Sequence, residues 1–539
     1  MAESSSPSPL YCGFDLSTQQ LKLTVIDAGR DVFMEQAVHF DRDLPEYGTV
    51  GGANVKGLIA TAPTLMWVAA LDLLLSRLES VGFPFARVAA ISGCGQQHGS
   101  VYWRDGTART LGALKSSLSL REQLADAFAV TRSPIWQDSS TEEECGLLET
   151  AASGADELAR VTGSSAYERF TGSQIMKVAR KQPAAYSATE RISLVSSFLA
   201  SLLLGAYAPI DVADGSGMNL LNIHTKDWDE TLLNACSADA RSKLGDVVHT
   251  NTFVGVLSAY YIEKYGFRQD CRIIAFTGDN PDSLASLNLG LHDIVISLGT
   301  SDTLSFPLLS PKPSTEGHIL CHPTRDDAYM AMLVYKNGSL VRESVRDNYF
   351  GGKWEGFEAA VRHYPVGCGD RTAFLFPAPE ITPRAHGVFR FERGDLVKEF
   401  SDSDANARCL LESQLMSMRS HARRMGLEDG VCDRRVVLTG GGSVNNAIAE
   451  IVADVFGATV VRSVLGGGSA ALGGAYRARY VACRDDEMHG RSFEEAMAVD
   501  KKQNFKEICR GDKARFDAYS DLLPRWEALE ARVCEMGKF

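Results

Sequence analysis

The chain has no C-x-x-C pair; its twelve cysteines are scattered singly along 539 residues. Zinc ribbons and dithiol redox centres need close spacing, so neither is expected. The thiols read as reduced and mostly buried, as in a cytoplasmic protein. Long hydrophobic runs are also missing: the longest, around Phe198 to Leu204, falls far short of the roughly 20 residues that cross a bilayer. Met1 to Pro9 is Ser/Pro-rich and lacks the basic and apolar regions of a signal peptide. An excess of positive charge is absent too. With 55 Lys and Arg against 68 Asp and Glu, the net charge is −13, which argues against a general binder of nucleic acid. A small phosphorylated molecule is still compatible, because local backbone donors hold phosphates on acidic proteins.

What is present points to a large globular α/β protein. Apolar residues make up 45% and charged residues 23%, the balance of a folded chain. Its length exceeds one ordinary core, so two large domains are expected, 10–287 and 288–539. Tyr11 to Asp15 reads as a buried strand, Ser17-Thr18-Gln19-Gln20 as a turn, and Leu21 to Asp27 as a second, antiparallel strand. The pattern recurs half a chain later, with Asp293 to Leu298, then Gly299-Thr300-Ser301-Asp302, then Thr303 to Phe306. Two such units suggest two related domains whose turns face a shared cleft.

Strands and helices alternate elsewhere. Leu65 to Leu78 and Ile192 to Leu204 read as helices, the second stopped by Gly205. Val88 to Ser92 is a strand entering Gly95-Gln96-Gln97-His98-Gly99, and Arg272 to Phe276 one entering Gly278-Asp279-Asn280. Arg435 to Leu438 leads into Gly440-Gly441-Gly442-Ser443, and Ile448, Ile451, Val452, Val455 and Phe456 form a helical stripe. Gly466-Gly467-Gly468-Ser469, ahead of Ala470 to Ala475, reads as a device for close helix packing. Beyond Cys483 the spacings Phe516/Tyr519 and Trp526/Leu529/Val533 suggest two short amphipathic helices separated by Pro524.

Polar loops at strand ends suit phosphoryl transfer, which needs donors around phosphates, a divalent cation and a carboxylate for the acceptor's proton. The two turns provide backbone donors together with the hydroxyls of Ser17, Thr18, Thr300 and Ser301. Asp15 ends a strand and is the candidate for Mg2+, against the plainer reading of a turn aspartate. Asp279 is the candidate base, although G-D-N is also an ordinary turn. Gly440 to Ser443 is a candidate nucleotide edge at a helix start; no G-K-[ST] follows it, so it is not a Walker A loop. His98, Arg169, Trp136 with Asp138, and Trp354 are each balanced between ligand contact and simple packing or pairing.

With these residues laid out, the chain resembles the FGGY carbohydrate kinases, and among them the animal branch that takes D-xylulose. The resemblance is carried by Phe14 to Gln20, Gly95 to Ser100, Ala166-Tyr167-Glu168-Arg169-Phe170-Thr171-Gly172, Glu190 to Phe198, Asp214 to Leu221, Phe276 to Asn280 and Ser297 to Thr303. It implies two actin-like (ribonuclease H-like) domains with mixed sheets flanked by helices around a central cleft, and Mg2+-dependent transfer from ATP to D-xylulose. Kinases of ribulose, gluconate or glycerol are the alternative on the same scaffold. Position by position it implies Asp279 as base and His98, Arg169 and Asn280 as sugar ligands. It implies Asp15, Ser17 and Thr18 at the first phosphate turn and Gly299, Thr300 and Ser301 at the second. Trp354, Gly440, Gly441 and Asn445 would meet the nucleotide. The expected protein is a cytoplasmic monomer or homodimer whose partners are a sugar and ATP. Two positions depart from the family pattern: Gln97 stands where bacterial relatives carry Met, and Ser139-Ser140 where many carry Arg.

Overall fold

The computed structural model describes residues 8–431, 433–464, 469–484, 488–498 and 505–538. The chain divides into two compact units, one of Met1–Asn288, Leu320–Asp327 and Gly468–Ala498, the other of Leu289–Ile319, Ala328–Gly467 and Val499–Phe539. Chain order and spatial order therefore part, and a single boundary at 287/288 does not describe the division.

The first unit is built on a seven-stranded mixed sheet. Leu10–Leu16 pairs antiparallel with Gln20–Asp27, which pairs antiparallel with Val32–His39. On its other side Leu10–Leu16 runs parallel to Val88–Gly95, which in turn runs parallel to Arg272–Ile274 and to the short pair Thr277–Gly278. Register sets the site. Asp15 lies opposite Cys94, and Gly278 opposite Gly95, so three parallel strands deliver their C-terminal loops to one sheet edge, where ligands of α/β proteins bind.

Side chains alternate across the first strand. Leu10, Cys12, Phe14 and Leu16 join a large core with Trp67, Leu71, Phe198 and Leu202, while Tyr11 joins a second cluster with Leu472, Ala475 and Tyr476. The helix Thr64–Ser80 thus packs in the core on one face, and Ala470–Cys483 covers the other. The latter lies almost on the strand backbone: a Cβ added at Gly13 would sit 1.8 Å from the carbonyl oxygen of Ala471 and 2.3 Å from the amide nitrogen of Ala475. Gly466 to Gly468 fall outside the described residues. The close packing is visible just beyond them, where Gly473 rests on the Asp282 carbonyl.

The second unit repeats the plan. Ile294–Leu298 and Asp302–Leu308 form an antiparallel hairpin, Tyr329–Tyr335 adds antiparallel to its second strand, and Arg435–Thr439 adds parallel to its first. Parallel neighbour, first strand, second strand and third strand follow in the same order as in the first unit. Thr459–Ser463 and Phe505–Arg510 continue the sheet. The stripe expected on Asn446–Phe456 is buried from Ile448 to Phe456.

Two sequence expectations are corrected. Ile192 to Leu204 is not one helix: Thr189–Leu194 is a strand paired antiparallel with Ser100–Arg104, and the helix is Val195–Leu204, closed by Gly205 in the left-handed conformation. A partner strand distant in sequence decided what local periodicity could not. The tail is one 24-residue helix, Lys513–Met536, that runs through Pro524. Burial of Tyr519 and Leu523 before the proline and of Trp526 and Val533 near or after it outweighs the hydrogen bond the proline cannot make. Tyr519 adds polar anchorage, accepting from Arg408 at 2.7 Å and donating to Glu412 at 2.9 Å.

The contact at Gly13 yields a direct test. Gly13→Ala forces the helix Ala470–Cys483 off the sheet, and we expect a loss of about 3 kcal/mol or more in chemical denaturation. A change under about 0.5 kcal/mol would mean that the helix is not seated there.

Candidate active site

In the first unit, Asp15 is partly accessible at the end of its strand, and its Oδ1 accepts from Cys94 Sγ at 3.5 Å. Burial raises its proton affinity above the usual carboxylate range, while hydrogen bonds from Ser17 and Cys94 and the charge of Lys22 act the other way. The turn beyond is closed by the Ser17 amide donating to the Gln20 carbonyl at 3.0 Å. Thr18 Oγ1 accepts from Trp136 Nε1 at 2.8 Å.

The loop after Val88–Gly95 brings Gln97 and His98 to the same edge. His98 has φ +69°, a strained backbone state for a residue with a side chain and one that clusters at ligand sites. Its ring is held by a 2.9 Å bond from Nδ1 to the Gly217 carbonyl and by stacking on Phe170 at 4.5 Å. A carbonyl only accepts, so the proton of the neutral ring sits on Nδ1. Arg169 lies over the rings of Tyr167 and Trp136, 4.6 and 5.5 Å from their centroids. Among the described residues no carboxylate forms an ion pair with it, which sets aside the surface salt bridge as its explanation.

Asp279 is the first residue of the helix Asp279–Leu287. Its Oδ1 accepts from the Gln97 amide at 3.3 Å, the Asn280 amide at 2.9 Å and Asn280 Nδ2 at 3.3 Å. Those donors and the helix N-terminus favour the anion. Burial, and secondly the charge of Asp15, outweigh them and push Asp279 up to about 7. Asn280 also donates to Gln97 Oε1 at 3.0 Å. Asp15, Gln97 and Asp279 are therefore brought together, with Thr18, Trp136 and Arg169 joined in a second contiguous group.

Three residues at this site escaped the sequence reading. Asp282 and Arg477, both fully buried, form an ion pair at 2.9 Å, and Arg477 also donates to the carbonyls of Thr250 and Ala275. Asp214, buried, accepts from Ser196 Oγ at 2.5 Å, and burial together with Asp211 raises its proton affinity well above normal. Its membership of the Asp214 to Leu221 motif was the only signal available. Asp138, by contrast, is turned inward onto the Ala60 amide, Ser140 and Gln174, and its work is structural.

In the second unit the Gly299 to Ser301 turn is held by Asp302. Its Oδ1 accepts from the Gly299 amide at 3.1 Å, and both its oxygens are clamped by buried Arg342 at 2.6 and 2.9 Å. Gly440 has φ +78°, and a Cβ there would meet the Leu298 carbonyl at 2.5 Å, so only glycine lets this loop pass. Gly441 begins a short 3-10 turn. Asn445 caps the next helix at Ile448 and donates to Glu358 at 3.0 Å. Trp354 opens the helix Trp354–His363, partly accessible, with Arg346 over its ring. Among the described residues no group of three or more His, Cys, Asp or Glu side chains could hold a metal ion, and no helix is long and apolar enough to cross a membrane.

The chain and its fold are similar to known proteins. Residues 10–285 match the N-terminal domain, and 294–482 the C-terminal domain, of the FGGY family of carbohydrate kinases. A xylulose kinase of Rattus norvegicus is 45% identical over 528 residues, covering 98% of this chain and 97% of that protein. In structure, a xylulose kinase from Rhodospirillum rubrum superposes with a TM-score of 0.77 at 14% identity, covering 98% of this chain and 99% of the other. A gluconate kinase from Lactobacillus acidophilus also gives 0.77, at 16% identity and 97% and 98% coverage. A two-domain α/β scaffold with mixed sheets and full-length sequence identity point the same way: the chain belongs to the FGGY family of carbohydrate kinases.

Proposed function

We propose that this protein transfers the γ-phosphoryl group of ATP to the C5 hydroxyl of D-xylulose, giving D-xylulose 5-phosphate and ADP. The observation that carries the reading is Asp279: a partly accessible carboxylate at a parallel-sheet edge, beside Asp15, with a proton affinity tuned to about 7. A base poised near neutrality suits abstraction of a hydroxyl proton. The choice of sugar rests on sequence. Xylulose and gluconate kinases superpose equally well on the fold, whereas the relative at 45% identity is a xylulose kinase. Ribulose, gluconate and glycerol are therefore the less favoured acceptors.

In this reading His98, Arg169 and Asn280 hold the sugar, and the Asp279 carboxylate accepts the C5 hydroxyl proton as that oxygen bonds to phosphorus and the bond to ADP breaks. Ser17 and Thr18 offer hydroxyls to phosphate, and Gly299, Thr300 and Ser301 backbone and hydroxyl donors. Trp354, Gly440 and Gly441 line the nucleotide. Asn445 enters through the helix end it caps, since both ends of its amide are already bonded. Asp15 is the residue for Mg2+; a single partly accessible carboxylate as direct ligand fits an ion that keeps its waters and would be held mainly by substrate phosphates, where it would neutralise charge. The protein is proposed to act in the cytoplasm, as a monomer or homodimer.

Asp279→Ala is expected to lower turnover of D-xylulose by about 10²- to 10⁴-fold with the fold retained; near-normal turnover would remove Asp279 as base. In an ADP-release assay D-xylulose should exceed ribulose, gluconate and glycerol in kcat/KM, and a better rival sugar would overturn the substrate. For the wild type, kcat/KM for the sugar should fall as pH drops below about 7, where Asp279 becomes protonated.

Asp279→Asn tests the same carboxylate through stability. The folded-state affinity near 7 exceeds the ordinary value of 3.8, so the fold penalises the anion. The penalty is absent below pH 4, accumulates between pH 4 and 7 and is complete above pH 7. The variant should therefore melt several degrees higher than wild type at pH 8, a gain of about 2–4 kcal/mol, and the gap should close by pH 4. A pH-independent difference would show that Asp279 is not a penalised anion.

A further inference from the structure

Trp136 stands between two groups that the proposed reading assigns to different substrates. Its indole Nε1 lies 2.8 Å from Thr18 Oγ1, in the first phosphate turn. Its ring carries the Arg169 guanidinium, 5.5 Å from the centroid. Arg169 is also braced by Tyr167, which it overlies and to whose hydroxyl it donates at 3.2 Å. Trp136, Thr18 and Arg169 are all partly accessible, so the group is open to ligands.

The direction of the Trp136–Thr18 bond is chemically fixed. An indole N–H donates and cannot accept, so Thr18 Oγ1 is the acceptor and its own proton must point elsewhere. Phosphate oxygens only accept, so a threonine hydroxyl is useful to them as a donor alone. An unrestrained hydroxyl would divide its time among three rotor positions; one whose lone pair is already engaged has its O–H turned outward in advance.

We propose that Trp136 is a positioning residue that sets the Thr18 hydroxyl as a donor to the phosphates of ATP while its ring face holds Arg169 on the sugar side. One side chain then fixes a contact to each substrate. The fixed donor strengthens binding because no rotor freedom is lost when the phosphate arrives, which is the general effect of preorganisation. Trp136 need not touch a reacting atom to do this. The proposal rests on the kinase reading above for the identities of the two ligands.

The test separates the N–H from the ring. Trp136→Phe removes the donor and keeps an aromatic face for Arg169; Thr18→Val removes the hydroxyl; Thr18→Ser keeps it. Binding of Mg-ATP is measured by calorimetry without sugar, and KM for each substrate by ADP release. Trp136→Phe should weaken Mg-ATP binding about five- to tenfold, the worth of one oriented hydrogen bond, and leave the sugar KM within about two-fold. Thr18→Val should weaken it at least as much, and the double variant no more than Thr18→Val alone, because both act through one bond. Thr18→Ser, which keeps the hydroxyl, should weaken Mg-ATP binding less than Thr18→Val. Trp136→Leu, which loses the ring, should raise the sugar KM as well.

Multiplying effects in the double variant, or unchanged nucleotide affinity in Trp136→Phe, would overturn the proposal. Unchanged affinity in Thr18→Val would do so independently, even if every Trp136 variant were unstable. Failure of the wild type to phosphorylate D-xylulose would instead strike the substrate assignment, since the calorimetric comparison uses no sugar.

Discussion

The first unit depends on one buried ion pair. Arg477 reaches Asp282 across 195 positions of sequence, and both side chains are completely buried. Desolvating two charges costs several kcal/mol per ion unless the remaining donors are satisfied. Arg477 meets that condition through the carbonyls of Thr250 and Ala275 as well as the carboxylate, whereas Asp282 Oδ2 has no hydrogen-bond partner among the described residues. The consequence is positional. Asp282 is one turn into the helix that begins at Asp279, and Arg477 belongs to the helix that lies on Gly13, so the pair pins the catalytic candidate to the sheet edge. Removing either partner would leave an uncompensated charge inside the protein.

Around that pair the protein gathers carboxylates, which ordinarily repel. Asp15, Asp211, Asp214, Asp279 and Asp282 all have proton affinities raised first by burial. Their fates differ with their partners. Asp282 has Arg477; Asp211 accepts from Thr250 and caps the turn at Asp214; Asp214 has Ser196. Among the described residues Asp279 has amide donors and a helix end, which do not offset burial and, second to it, the charge of Asp15. Burial, with the charge of Asp15 second, sets its value near 7; Asp282 reaches about the same value despite Arg477, and Asp214 is raised well above normal. In the proposed reading the general base and a source of instability are the same feature, as is common where function strains a fold.

Local physics made much of this legible from sequence. Alternation and a polar turn are enough to define Leu10 to Asp27 as a hairpin, because both strands and their connection are contiguous. Asp15 and Asp279 could be singled out because each closes an apolar run, and the strand register then places them at one edge. What stayed hidden was set by partners far away. Ile192 to Leu194 became a strand through Ser100 to Tyr102; the helix through Pro524 persists because residues on both sides of the proline are buried, Tyr519 and Leu523 before it and Trp526 and Val533 after it; Asp282 and Arg477 carry no local pattern that pairs them. The alternative readings of His98, Arg169 and Asp138 were likewise undecidable until contacts were known. Among the described residues Arg169 pairs with no carboxylate, whereas Asp138 is consumed by backbone and side-chain donors.

The duplicated plan of the two units makes their differences informative. Each presents an antiparallel hairpin with a small polar turn, yet the acid sits on opposite sides of that turn. In the first unit Asp15 precedes it, partly accessible and, among the described residues, paired with no guanidinium. In the second, Asp302 follows it and is neutralised by Arg342 while its Oδ1 ties down the Gly299 amide. The same loop geometry thus carries two electrostatic characters. The second turn offers an anion donors without a competing negative charge; the first offers donors beside a carboxylate, tolerable to phosphate only if a cation comes with it. The scaffold fixes where the turns stand, and the choice of partner for one aspartate in each sets the charge beside each turn.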